Sequence, residues 1–202
     1  VIERLEDAAG RPVSRETFER IERYIELLRA ENQRQNLVSA ATLDDVWSRH
    51  ILDSAQLAKF EPRAGASWID IGSGAGVPGI VIACLVEGPV TMVEPRRLRA
   101  DFLHRVSESL GLRTAVLCTK AERVEGSYGV ITARAVAQLT ELLKISAHLS
   151  TRKTVWALPK GRSAERELAE ARDAWQGDFR VEPSVTDDEA FIVVGTQVRA
   201  RK

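Results

Sequence analysis

The stretch "IDIGSGAGVPG", Ile69 to Gly79, constrains this chain more than any other. An apolar run carrying one acid breaks into four glycines and a proline, and an apolar segment, "IVIACLV", resumes at once. A strand, a bare turn and a buried helix in that order open a doubly wound sheet, where the first strand-to-helix turn brings main chain closest to a ligand. Glycine at Gly72, Gly74 and Gly76 admits positive φ and removes Cβ atoms that would collide with a bound group. The remaining chain has to supply the sheet around this turn.

From Ser67 onward, short β-rich runs alternate with helical ones: "SWIDIG", "GIVIACLVEG", "PVTMVEP", "RRLRADFLHRVSESLG", "RTAVLC", "YGVITARA", "AQLTELLKISAHL", "KTVWALPKG", "SAERELAEARDAW". Such alternation predicts an α/β fold with a mostly parallel sheet and helices on both faces. The tail changes character. "FRVEPSVT" and "AFIVVGTQVR" are two β-like runs joined by the turn-prone "DDE", so an antiparallel pair is expected at the sheet edge.

The N-terminal part reads as all-helical. In "SRETFERIERYIELLRAEN", Phe18, Ile21, Ile25 and Leu28 fall at helical spacing, with Ser14 as N-cap and Glu16 in the first turn. A second helical region runs from about Thr42 to Phe60 and ends at the connector "EPRAGAS". The expected organisation is a single domain over 1–202, with a helical extension over 1–64 and an α/β core over 65–202.

Charge narrows the partners. Lys plus Arg and Asp plus Glu both total 29, so no global field draws the chain to a polyanion, and any such contact depends on local clusters. Two cysteines, Cys84 and Cys118, sit on apolar runs and are expected to be buried reduced thiols rather than a disulfide or a metal site. No metal ligand set is expected. No run reaches the roughly 18 apolar residues of a spanning helix, and "VIERLEDAAGRP" lacks a signal-peptide core, so a cytoplasmic location without membrane association is expected.

Three ligand classes compete for the glycine turn. A phosphate loop needs Gly-Lys-Ser/Thr, and Gly79 is followed by Ile80 and Val81. The dinucleotide fingerprint wants a third glycine where Val77 stands, which leaves NAD as runner-up. S-adenosylmethionine fits the acid two positions ahead of G-x-G-x-G, here Asp70 before Gly72, Gly74 and Gly76. A ribose diol is best gripped by a carboxylate at the tip of the next strand, about 20 residues past the first glycine. Glu94 in "VTMVEP" stands there.

These residues resemble the bacterial small-subunit rRNA guanine-N7 methyltransferases, also called the glucose-inhibited division protein B family. The resemblance spans nearly the whole chain, through "NLVS", "RHILDS", "IDIGSGAGVPGI", "EPRRLRADFL", the "AE" of Ala121 and Glu122, "TARAVAQL" and "LPKG". It implies a seven-stranded Rossmann-like methyltransferase sheet with an antiparallel edge, S-adenosylmethionine as cofactor, and methylation of N7 of one guanine in 16S rRNA. It also implies a cofactor site at Gly72, at the position matching Val77, around Glu94, at Ala121 and Glu122, and at Arg134. "TARAV" departs from relatives that carry a serine before "RA", but Arg134 stays in place.

The chemistry agrees by what the chain lacks. Guanine N7 is an unprotonated lone pair at neutral pH and needs alignment rather than a base. The Asp/Asn-Pro-Pro-aromatic loop common in exocyclic amine methylation is missing from "VITARAVAQL", and neither cysteine suits C5 attack on a pyrimidine. Arg134 and Lys160, at the tips of the fourth and fifth strands, are the catalytic-side candidates, with Arg134 facing either the cofactor carboxylate or the guanine edge. His50 and Asp53, at i and i+3, have a plainer reading as partners of each other. Arg96, Arg97, Arg99, His104 and Arg105 form a basic helix start that is a solvated face or a phosphate strip. A monomer acting on 16S rRNA or the small subunit is expected. A non-catalytic assembly factor that only binds the cofactor is the rival of a different class.

Overall fold

The structure, a computed structural model, describes residues 1–202. Helix α1 (Ile2–Ala9) closes on the left-handed Gly10, whose N–H donates to the Glu6 carbonyl. Ser14 then opens α2 (Arg15–Gln35), its hydroxyl accepting from the Thr17 N–H. The buried stripe of α2 is Ile21, Tyr24, Ile25, Leu28 and Glu31, the spacing that a helix facing a core requires.

The second helical region, expected from about Thr42 to Phe60, is present but divided into short turns of different pitch. It consists of α3 (Ala40–Asp44), a π-helical turn over Trp47–Leu52, α4 (Asp53–Ala55) and a 3-10 turn over Gln56–Phe60. Side chains take up carbonyls along this irregular path, the Ser54 hydroxyl donating to His50 O at 2.6 Å and Arg134 donating to Arg49 O at 3.1 Å. Widened π turns recur where a helix is bent to a functional purpose. Phe18 stacks on Trp47, with ring centroids 5.4 Å apart, and fastens α2 to this segment.

The sheet follows in order: β1 (Trp68–Ile71), α5 (Gly79–Leu85), β2 (Val90–Val93), α6 (Arg97–Ser109), β3 (Thr114–Leu117), β4 (Val130–Ala133), α7 (Leu139–Ser146), β5 (Val155–Gly161), α8 (Ala164–Ala171), β6 (Trp175–Pro183) and β7 (Phe191–Ala200). Its seven strands lie in the order β3-β2-β1-β4-β5-β7-β6. The first five are parallel, and β7 runs antiparallel between β5 and β6. Trp175, read from sequence as the end of a helix, instead starts β6 opposite Ala200. Helix α8 has already stopped at Ala171, and the edge hairpin claims the residues beyond.

Alternating strand residues feed two cores. On one face Trp68, Val90, Met92 and Val130 join the N-terminal helices and α5, so the extension and the sheet share one apolar cluster of 31 residues. On the other, Ile69, Ile71, Ile131 and Trp156 pack with α7 and α8 in a cluster of 18. Burying each large aliphatic side chain here contributes about 1.5–3 kcal/mol. Strand order reverses between β1 and β4, and the crevice at their carboxyl ends is where such sheets hold ligands.

Candidate active site

The turn after β1 is sewn to the end of β2. Gly72 and Ser73 N–H both donate to Val93 O, at 2.8 and 3.0 Å, while the Ser73 hydroxyl donates back to Asp70 O. Tyr24, from α2, donates its hydroxyl to Ala75 O at 2.8 Å, so an N-terminal helix braces the same turn. Below it, buried Asp70 accepts from Gly79 N–H through Oδ2 and leaves Oδ1 without a partner. Burial pushes its carboxyl up to about 7. Thr132, its register neighbour on β4, likewise keeps an unpartnered buried hydroxyl.

The three glycines of the motif do different work. At Gly74, φ is +53° and an added Cβ would meet nothing nearer than Gly72 O at 3.8 Å, so the absent side chain leaves an open cradle. At Gly72 an added Cβ would lie 2.6 Å from Cγ2 of Val136, whose exposed side chain arches over the turn from the loop after β4. Gly76 faces inward, where a Cβ would strike Ile80 at 2.6 Å and Leu103 at 3.2 Å. Val77 is 6% exposed and its side chain belongs to the larger core. Gly76 and the Val77 side chain therefore face the core, unlike the open cradle at Gly74.

Glu94 lies just past β2 and is 3% exposed. Gly74 N–H donates to its Oε2 and Arg96 N–H to its Oε1, both at 2.9 Å. Two main-chain bonds fix the carboxylate against the bare turn and leave lone pairs on both oxygens, the acceptor set that a vicinal diol needs. Ala121 is buried at the start of a 3-10 turn beyond β3, and Glu122 beside it is exposed. The residues present thus fit an adenosyl group by two features of this structure, the open cradle at Gly74 and the clamped carboxylate at Glu94.

On the other side of the loop after β4 lies a cavity of about 480 Å³, walled by the π-helical turn, the tips of β4 and β5, and the 184–190 turn. Arg134 enters it and is held by three acceptors. Nη1 donates to Arg49 O and to Asp53 Oδ2 at 3.2 Å, and Nη2 donates to His50 Nδ1 at 3.0 Å. His50 and Asp53 therefore meet on Arg134 and not on each other, a correction to the pairing expected from their i, i+3 spacing. Burial, with the charges of Arg134 and Arg49, drives the His50 imidazole down to about 4.

Lys160 is not the free cation expected from its strand-tip position. Its Nζ donates to Ala137 O at 2.6 Å and pairs with Glu167 at 3.0 Å, with 8% of the lysine side chain exposed. Glu167 also accepts from Leu139 N–H at 2.8 Å and from the Ser163 hydroxyl. Burial alone would raise the Glu167 carboxyl, but these hydrogen bonds and the Lys160 charge hold it below its ordinary range. The pair grips the 134–139 loop at both Ala137 and Leu139.

The other acids on the cavity wall are likewise engaged. Asp53 Oδ1 accepts from Thr186 and Gln56, while Asp187 pairs with Arg49 and accepts from Glu189 N–H. Each carboxylate on that wall is thus tied to a cation.

Sequence reasoning missed Tyr24, Val136 and Glu167, and read the turn at "DDE" only as a connection between strands, not as a wall of the site. Tyr24 carried a faint signal, a hydroxyl set on the apolar stripe of α2. The others lie in segments whose meaning comes only from what packs against them. Cys118 is exposed, contrary to expectation, because its apolar run is the edge strand β3, while Cys84 is buried as expected. Arg96, Arg97 and Leu98 are exposed beside Glu94, and Arg97 pairs with Asp101. No helix is long and apolar enough to cross a membrane.

Residues 17–189 match the family model described as rRNA small subunit methyltransferase G. The chain is 44% identical over 199 residues to ribosomal RNA small subunit methyltransferase G of Zymomonas mobilis, covering 94% of this chain and 90% of the relative. It is 48% identical over 192 residues to the protein of that name from Erythrobacter litoralis, with 94% and 89% covered. Among solved structures, a SAM dependent methyltransferase from Aquifex aeolicus superposes with a TM-score of 0.62 at 16% identity, over 78% of this chain and 96% of that one.

Proposed function

The chain belongs to the rRNA small subunit methyltransferase G family, and on that premise we propose that it transfers the methyl group of S-adenosylmethionine to N7 of one guanine in 16S rRNA. The observation that carries the choice of N7 is the saturated cavity. Every acid on its wall is tied to a cation, Asp53 to Arg134, Glu167 to Lys160 and Asp187 to Arg49, an arrangement that serves alignment rather than proton removal. N7 of guanine requires just that, because its lone pair is free at neutral pH, and orientation of two bound reactants is worth about 7–11 kcal/mol in favourable cases.

In this reading Glu94 accepts from the ribose hydroxyls, the Gly72–Gly74 main chain admits the cofactor, and Ala121 with Glu122 borders the base. The Val77 contribution is through its main chain, since its side chain is in the core. Gly76 acts by letting the turn pack on Ile80 and Leu103. The bound cofactor supplies an electrophilic methyl on sulfur. Arg134 faces the cavity with two N–H groups to spare and serves an acceptor there, such as the guanine O6. Lys160 acts at one remove, by holding the loop between the two halves of the site.

The target base is expected in a loop or an opened helix, because N7 faces the deep major groove of an RNA duplex, which side chains do not enter. The balanced charge of the chain means affinity rests on a local surface and on RNA shape. A cytoplasmic monomer acting on 16S rRNA or the small subunit is consistent with this reading, as is one methyltransferase unit over 1–202 with a helical extension over 1–64.

The test is incubation of the protein and S-adenosylmethionine with unmethylated small subunits and with naked 16S rRNA, followed by mass spectrometry of the digests. We expect one new 7-methylguanosine. Methyl transfer to another atom, or none to either substrate, would refute the proposal.

A further inference from the structure

The π-helical turn brings His50 against a group that has only one way to bond. A guanidinium donates and never accepts, so at 3.0 Å from Arg134 Nη2 the Nδ1 atom of His50 has to be the acceptor. A neutral imidazole with an acceptor at Nδ1 carries its proton on Nε2. That atom is enclosed and without a partner, in a residue only 5% exposed. The charged groups around the ring are Arg134 and Arg49, with Asp45 acting on it in the opposite sense, and Asp53 sharing Arg134. The Arg134 and Arg49 charges both oppose an imidazolium, and the Arg134 N–H already occupies Nδ1.

Arg134 can be accounted for donor by donor. It has five N–H groups. Nη1 uses both of its hydrogens, on Arg49 O and Asp53 Oδ2, and Nη2 uses one on His50 Nδ1. Nε–H and one Nη2–H are left. All three acceptors come from a single N-terminal segment, 81 to 85 residues away along the chain. A planar fork held at three points has its remaining donors fixed in direction, and alignment is what a reaction without a base depends on.

We infer that His50 is a positioning residue of the methyl transfer, which, as the neutral Nε2–H tautomer, accepts from Arg134 and sets the direction of that arginine's two free donors in the cavity. The inference rests on the guanine methylation proposed above for the role of those donors. The tautomer and the pairing stand without it.

Two measurements test it. The first needs no activity: long-range proton–nitrogen NMR of the protein, which has only three histidines to assign. We expect His50 as the neutral Nε2–H form from pH 8 down to pH 5. An Nδ1–H form, or a protonated ring at pH 6, would overturn the inference even if the enzyme is active. The second compares His50→Ala with His50→Asn, whose amide oxygen stands near the Nδ1 position. We expect methyl transfer to small subunits to fall at least tenfold in the alanine variant and to return to within about threefold of the wild type in the asparagine variant. The dissociation constant of S-adenosylhomocysteine should stay within twofold throughout. Full activity of His50→Ala, or equal loss in both folded variants, would refute the positioning role. If neither variant folds, the NMR result on the unaltered protein decides. A wild type that transfers no methyl while showing the expected tautomer would sink the proposed function and not the pairing.

Discussion

The hydroxyl of Tyr24 donates to the carbonyl of Ala75 at 2.8 Å, joining the second helix of the N-terminal extension to the glycine turn 51 residues away. The extension is therefore a support of the site and not an appendage to it. Tyr24 has no exposed surface, and Ala75 is 5% exposed, so neither group has water to fall back on. In Tyr24→Phe the Ala75 carbonyl would lose its partner, at a cost of about 1–3 kcal/mol. For a chain of this length that should lower Tm by several degrees. Calorimetry with and without S-adenosylhomocysteine should show weaker ligand affinity as well; an unchanged Tm would mean that the turn holds its shape unaided.

Gly74 and Gly76 separate a ligand role from a packing role within one motif. Gly74→Ala meets no clash and pays only for its positive φ, about 1–2 kcal/mol. It should fold and yet bind S-adenosylhomocysteine at least tenfold more weakly, because the new methyl stands in the cradle. Gly76→Ala drives a Cβ into Ile80 and should be lost mainly as folded protein. Equal thermal stability of the two variants would contradict this division.

The Lys160 and Glu167 pair is expected to act on the loop after β4 rather than on substrate. Lys160→Met removes the bond to Ala137 O and strands a buried carboxylate, at a cost of about 3–5 kcal/mol. Adding Glu167→Gln should recover part of that loss, since the remaining amide is neutral. Denaturant titrations of the two single variants and the double variant form the required cycle. Strict additivity would show that the two side chains do not depend on each other.

Two buried groups give stability opposite pH slopes. His50, held down to about 4, stays neutral in the folded state while the unfolded chain takes up a proton near 6.5, so its contribution is lost as pH falls from about 6.5 to about 4. Asp70, pushed up to about 7, is protonated in the folded state while the unfolded chain is already ionised above about 4, so its contribution is lost as pH rises from about 4 to about 7. Each limb amounts to about 1.4 kcal/mol per pH unit crossed. The wild type should therefore show a shallow profile between pH 5 and 6.5. Asp70→Asn should leave only the His50 limb, with stability rising toward neutral pH, as urea unfolding at pH 5, 6, 7 and 8 would show. A profile unchanged by the substitution would exclude Asp70 as the source of the opposing slope.

What could be read in the sequence was local. The glycine turn, Glu94 at the tip of the next strand, the parallel alternation and the antiparallel tail are patterns within short windows, where strand period and turn chemistry act on neighbours. The helix at Ser14 was legible for the same reason, since a cap and an apolar stripe declare themselves within one segment. Trp175 was misread because a helical pattern ran up to it, and only pairing with Ala200 shows that it opens β6.

The sequence by itself determined the kind of fold, the class of cofactor that the turn admits, and the family, because these follow from residue types at fixed spacing along the chain. Only the tertiary structure decided what the charged side chains do: His50 bonds Arg134 and not Asp53, Lys160 is spent on Glu167 and Ala137, and Tyr24 braces Ala75. A charged or polar group takes its role from the partner it reaches and from how much water is left beside it. Both are set by segments tens of residues apart, and no pattern along the chain records that distance closing.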